Sequence, residues 1–224
     1  MDNIQLRRDI NLKNYTTIKV GGLTEYFYQP NGVSEFLNLI NWAKSKSYNC
    51  RIIGAGSNLL IKDIYLRGLT ICTKKMKTIK IHPKTGLVYA ECGVMLPTLA
   101  NLLAKNSCMG GEWAVGIPGT VGGALFMNAG CGDSSISDNL SSVQVIDIES
   151  QEIYEINKED LSFKYRFSSF QENNLLILSA KFYFEPEGDL KSIMKKTQTN
   201  LKKRLASQPY HLPSFGSVFK NPST

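Results

Sequence analysis

The strongest constraint on this chain is where its glycines fall. Gly116-Ile117-Pro118-Gly119-Thr120-Val121-Gly122-Gly123-Ala124 puts four glycines and a proline into nine residues, and Asn128-Ala129-Gly130 continues the glycine-dense stretch 110–132. A shorter loop, Gly54-Ala55-Gly56-Ser57-Asn58, follows the apolar run Arg51-Ile52-Ile53. Glycine lets a backbone approach a ligand closely and turn its N–H groups toward an anion. The binding candidates are therefore Gly54, Ala55, Gly56, Ser57 and Asn58 in one loop, and Gly116, Ile117, Pro118, Gly119, Thr120, Gly122 and Gly123 in the other. Ser57 and Asn58 add side-chain donors. Alone, the first loop reads better as a tight turn between strands. The second is denser in glycine than a purely structural turn requires, and two such loops in one chain point to a diphosphate-bearing ligand. Two familiar phosphate motifs are excluded. Leu59 stands where a dinucleotide fingerprint needs its third glycine, and no Gly-Lys-Ser/Thr occurs.

Around the loops, strands and helices mix without regular alternation, which predicts an α+β fold rather than a doubly wound parallel sheet. Strands are expected at 25–29, 51–53, 87–91 and 175–184, with a hairpin at 143–148 and 152–156. A helix capped by Ser34 runs to about residue 46, with Phe36, Leu37, Ile40 and Ala43 on one face. A second helix covers 96–105, with Pro97 in its first turn. Pro186-Glu187-Gly188 marks a boundary. After it, Leu190, Met194, Leu201 and Leu205 recur at helical spacing until Pro209.

Composition narrows the function. The 224 residues carry a net charge of +7, much of it in 191–204. That stretch is either a solvated helix face or a surface for an anionic partner. Five cysteines at wide spacings and two histidines argue against a disulfide framework or a metal centre. No apolar run is long enough to cross a bilayer, and the charged N-terminus is not a signal peptide, so a cytoplasmic protein is expected.

Five motifs in order carry a family resemblance. Thr17-Ile18-Lys19-Val20-Gly21-Gly22, the two glycine loops, Phe163-Lys164-Tyr165-Arg166-Phe167-Ser168, and Gly216-Ser217-Val218-Phe219-Lys220-Asn221-Pro222 span nearly the whole chain. Together they resemble the family of bacterial UDP-N-acetylenolpyruvoylglucosamine reductases. The resemblance implies a two-subdomain FAD-binding fold of the vanillyl-alcohol-oxidase type, with FAD held non-covalently, followed by an incomplete α+β substrate domain. Residues 1–16 lead in, 17–186 form the FAD-binding domain (about 17–70 and 71–186), and 187–224 begin the substrate domain. It further implies that NADPH reduces FAD, which then reduces the enolpyruvyl group of UDP-N-acetylglucosamine enolpyruvate. A small UDP-sugar is then the partner, with no nucleic acid and no membrane.

The chemistry suits the last two motifs. Hydride addition to the vinyl carbon leaves charge on its neighbour, delocalised into the carboxylate. The forked guanidinium of Arg166 can neutralise that charge, and a hydroxyl at Ser217 can supply the proton. Tyr165 and Asn221 are the expected substrate contacts. The family usually extends beyond the serine motif and there carries a catalytic glutamate, so truncation is expected here. Cys131-Gly132 and Phe167 depart from the family pattern. Two other readings stay open. One is a related flavoprotein oxidase, with covalent attachment through His82 or Cys131. The other is a basic nucleic-acid-binding module using 191–204.

Overall fold

The structure is a computed structural model that describes residues 5–216 and 218–220. It divides into two compact units, Met1–Lys75 with Pro209–Thr224 and Met76–Gln208.

The first unit is built on a four-stranded mixed sheet. Strand β1 (Arg7–Asn11) runs antiparallel to β2 (Leu23–Tyr28). Helix α1 (Val33–Ser45) and strand β3 (Cys50–Ile53) follow, and β4 (Leu66–Cys72) inserts between β2 and β3, parallel to both. Helix α1 buries Phe36, Leu39, Ile40 and Ala43. The spacing i, i+3, i+4, i+7 makes one apolar stripe, and each large side chain so buried stabilises by roughly 1.5–3 kcal/mol. Two expectations change here. Leu39 rather than Leu37 faces inward, and the helix begins behind Gly32 rather than at Ser34. Ser34 is exposed in the first turn, and the Glu35 carboxylate takes the N–H of Asn31 at 2.9 Å instead. A carboxylate at that end also suits the positive pole of the helix. A second apolar cluster gathers Leu12, Phe27, Ile53 and Cys72, with the Tyr15 ring 4.3 Å from that of Phe27.

The second unit holds a five-stranded antiparallel sheet in the order β10-β9-β13-β6-β5. Its strands are β5 (Ile79–His82), β6 (Leu87–Glu91), β9 (Leu140–Asp147), β10 (Ile153–Asn157) and β13 (Leu175–Tyr183). Two short hairpins stand outside it: β7 (Gly130–Cys131) with β8 (Ser134–Ser135), and β11 (Phe163–Lys164) with β12 (Phe167–Ser168). Helix α2 (Leu96–Lys105) buries Leu96, Leu99, Ala100, Leu103 and Ala104 into the same core as Val88, Val143, Val145 and Phe182. Helix α3 (Val121–Met127) grows out of the second glycine loop. Helix α4 (Leu190–Ser207), after the expected boundary at Pro186, lies in this unit against α2 and the 3-10 turn Glu112–Gly116. Its inward face holds only part of the expected row: Leu201 packs against the core and Met194 is half-buried. Ile193 and Thr197 are buried, whereas Leu190 and Leu205 are exposed. Its lysines 191, 195, 196, 202 and 203 are exposed, with Lys196 3.6 Å from the buried carboxylate of Glu112.

Candidate functional site

In the first unit, β3 runs straight into the loop 54–58. Gly56 is buried with φ +68, and a Cβ there would stand 2.0 Å from the carbonyl oxygen of Tyr15, so only glycine fits. The loop is held by its carbonyls. Gly56 O accepts the N–H of Thr17 at 3.1 Å and its hydroxyl at 3.4 Å, and Gly54 O accepts the Cys72 thiol at 3.6 Å. Burial pushes that thiol's pKa up, so it stays protonated and able to donate. The N–H groups of Ala55, Gly56 and Asn58 find no backbone acceptor among the described residues. Ser57 is half-buried and Asn58 exposed.

In the second unit, the loop 116–123 is clamped at its feet. Gly119 O accepts the N–H of Leu96 at 3.0 Å, and the N–H groups of Val121 and Gly122 reach Val94 O and Cys92 O at 2.8 Å. Thr120 then caps α3, its hydroxyl accepting the Gly123 N–H at 3.3 Å. Gly119 has φ +150, and no backbone acceptor among the described residues meets the N–H groups of Gly119 and Thr120. Gly123 is exposed, and a Cβ there would have only the Thr120 hydroxyl near it, at 3.5 Å. Gly116 and Ile117 are buried, Ile117 in the core, while Pro118 is exposed. Each loop thus leaves backbone donors without a backbone partner, on exposed or half-buried residues at Ala55, Asn58 and Gly119 and on buried ones at Gly56 and Thr120. That donor set fits a diphosphate.

Helix α3 links the second loop to the arginine motif within the same unit. Its last turn leaves carbonyls without helical partners, and the Phe126 oxygen accepts both the Ser168 hydroxyl and Gln171 Nε2 at 2.7 Å. Gln171 Nε2 also lies 3.3 Å from Arg166 O. Asn128, in the left-handed conformation at φ 43, ends the helix and donates its amide to Lys164 O at 3.0 Å. These contacts grip the hairpin β11–β12, whose two-residue connection is Tyr165-Arg166. Arg166 is half-buried with φ +58, a conformation that costs a non-glycine residue about 1 kcal/mol or more. Its guanidinium carbon stands 5.5 Å from the ring of Tyr165, which is 55% exposed. Ser217 and Asn221 lie outside the described residues.

The sequence motifs gave roles to the loops and Arg166; Ser168 closed the arginine motif without a role, and Gln171 gave no signal of its own. Asn128 stood in the glycine-rich motif without a role. Elsewhere, His82 is exposed at the end of β5, Cys131 is exposed on β7, and none of the five cysteines is in a disulfide. Among the described residues no helix is long and apolar enough to cross a membrane.

Comparison with known proteins bears on this geometry. Residues 24–157 match the FAD binding domain model. A UDP-N-acetylenolpyruvoylglucosamine reductase of Prochlorococcus marinus subsp. pastoris is 61% identical over 223 residues, 100% of this chain and 75% of that protein. The crystal structure of UDP-N-acetylenolpyruvylglucosamine reductase (MurB) from Thermus caldophilus superposes with a TM-score of 0.79 at 28% identity, covering 97% of this chain and 75% of that one. Wild-type Phl p 4.0202, a glucose dehydrogenase, gives a TM-score of 0.55 at 12% identity over 80% of this chain and 38% of its own, a likeness of fold alone. The two units are thus an α+β fold of the vanillyl-alcohol-oxidase type. With its glycine loops in place and a 61% identical relative matched along its whole length, the chain belongs to the UDP-N-acetylenolpyruvoylglucosamine reductase family.

Proposed function

We propose that this chain reduces the enolpyruvyl group of UDP-N-acetylglucosamine enolpyruvate to give UDP-N-acetylmuramate, a step toward peptidoglycan, with FAD as cofactor and NADPH as electron source. FAD, when bound, would supply the redox chemistry, hydride transfer between NADPH and the vinyl carbon. The chain's own residues hold and neutralise. In one loop the N–H groups of Ala55, Gly56 and Asn58, with Gly54 and Ser57 completing it, would offer donors to phosphate oxygens of FAD; in the other the N–H groups of Gly119 and Thr120 would do so, with Gly116, Ile117, Pro118, Gly122 and Gly123 completing that loop. Arg166 offers a forked pair of donors to the carboxylate, where negative charge builds. Ser217 gives the neighbouring carbon its proton, and Tyr165 and Asn221 contact the substrate. Cofactor work then lies before residue 186 and substrate work after it, apart from the hairpin carrying Arg166. The site is cytoplasmic, and the lysines of α4 are a solvated face rather than a nucleic-acid surface.

The observation that carries this reading is the grip of α3 on the arginine hairpin. A helix that starts in a cofactor loop and ends on the contacts fixing Arg166 lets one rigid element serve both. A charge placed for the transition state should be sensitive to its shape. In the full-length, FAD-loaded protein, Arg166→Lys is expected to slow the substrate half-reaction by about 10²-fold, because it keeps the charge and loses the fork. The NADPH half-reaction should change little. Stopped-flow measurement of the two half-reactions checks this, and equal slowing of both would remove Arg166 from its role.

A further inference from the structure

Thr17 belongs to the run 16–20, which forms a turn and coil rather than a paired strand. Its backbone and side chain meet two distant segments of the first unit at once. Toward the glycine loop, Thr17 N–H donates to Gly56 O at 3.1 Å. Toward the chain after α4, Ser214 N–H donates to Thr17 O at 3.2 Å, and the Thr17 hydroxyl donates to Ser214 O. One hydroxyl proton cannot serve two acceptors fully. Gly56 O, at 3.4 Å, is the weaker contact and already has the backbone donor, so the hydroxyl is spent on Ser214. The two bonds with Ser214 make a single rung, like one step of a β-ladder.

That rung sits next to a stretch to which burial gives little support. Residues 208–213 are all exposed, so burial does not hold them. A chain segment not tied down frays. Ser214 is half-buried, and its hydroxyl accepts the Gly216 N–H at 3.2 Å, which shapes the turn immediately before Ser217. Resting on the reading of Ser217 as proton donor, we infer that Thr17 is a positioning residue. It ties the serine-bearing segment to the loop that holds the cofactor diphosphate, and so sets where the donating hydroxyl stands.

The test uses the full-length, FAD-loaded protein and compares Thr17→Val, Thr17→Ser and Ser217→Ala. Thr17→Val keeps the shape and loses the hydroxyl. It is expected to slow the substrate half-reaction roughly 10- to 100-fold, the range a displaced reacting group produces. The NADPH half-reaction and flavin content should stay as in the parent, and Thr17→Ser should recover the rate to within about two-fold by restoring the donor. A merely structural role would instead lower flavin content or slow both half-reactions together. If Ser217→Ala is slow while Thr17→Val matches the parent, the inference fails and the proton-donor reading stands. If Ser217→Ala is itself unimpaired, the proton-donor reading fails and takes the inference with it. Should Thr17→Val lose flavin or fold, Ser214→Pro decides. It removes the other half of the rung without touching the glycine loop, and an unchanged substrate half-reaction there overturns the inference.

Discussion

The two glycine loops share one proposed task and are held differently. The loop 54–58 is fixed from outside: its carbonyls receive Thr17 and Cys72, which lie in other segments of the first unit. The loop 116–123 is fixed at its feet and from within, by the strand end and turn just before α2 and by its own Thr120 cap. The first therefore depends on tertiary structure already being formed. The second carries part of its order in local sequence, where a cap and a short helix support each other. Both arrangements leave backbone N–H groups without a backbone partner, the first loop through distant contacts alone and the second through distant contacts joined by a local cap.

The sharpest way to break this contrast is to crowd each loop in turn. Gly56→Val places a Cβ where only 2.0 Å separates it from Tyr15 O, at φ +68. Overlap and backbone strain together should cost at least about 3 kcal/mol, with flavin lost as the first unit opens. Gly119→Val, in a half-exposed loop at φ +150, should cost about 1–3 kcal/mol while still weakening flavin retention. Urea unfolding and flavin titration on both variants separate the cases, and equal stability losses would mean the loops are not held differently.

A gentler probe removes the local support alone. Thr120→Ala deletes the acceptor for the Gly123 N–H and should lower stability by about 1 kcal/mol, the usual cost of a lost cap. Flavin binding should weaken several-fold, as the first turn of α3 frays. Hydrogen exchange should quicken at 119–124 and stay unchanged at 54–58. Faster exchange in both loops would show that the second is not locally ordered.

The smallest effect is expected at Glu155, which belongs to neither loop and sets the floor of the comparison. Lys181, 2.7 Å away, and then the Ser142 hydroxyl hold its carboxyl below the ordinary value of 4.5. A carboxyl with a lowered folded pKa adds stability that is present above its ordinary value and is lost as pH falls through the folded one. Both side chains are largely solvated, so Glu155→Gln should cost less than about 1 kcal/mol at pH 7 and nothing once pH falls well below 4.5. Stability curves at several pH values check this; a difference persisting in acid would mean the loss is one of packing, not charge.

What could be read from the sequence followed the range of the interactions involved. Strand β6 and helix α2 match their expected bounds, because alternation and 3.6-residue spacing are written into adjacent letters. Strand β4 did not show itself. It is buried along most of its length between two parallel neighbours, so alternation vanishes, and Gly68 inside it reads as a turn. The apolar row of α4 was half right: Leu201 packs against the core, but Leu190 and Leu205 are exposed, and Ile193 and Thr197 are the buried contacts. The glycine loops and Arg166 were visible as motifs. Thr17 was visible as the start of a motif, but its role was not, because its partners lie 39 and 197 residues away. Gln171 was not, because an exposed glutamine has no pattern until the carbonyl of Phe126, 45 residues earlier, is beside it.

Helix α3 has seven residues between the cap Thr120 and the terminating Asn128. Each residue of a helix advances about 1.5 Å and turns by about 100°. One residue inserted or deleted would swing Asn128 and the Phe126 carbonyl away from the hairpin bearing Arg166, while leaving the glycine loop intact. Natural variation can therefore change the letters of this helix with some freedom, but its count is frozen. A homologue with six or eight residues here would need a compensating change in the length or seating of β11–β12, and length differences at these two places should appear together.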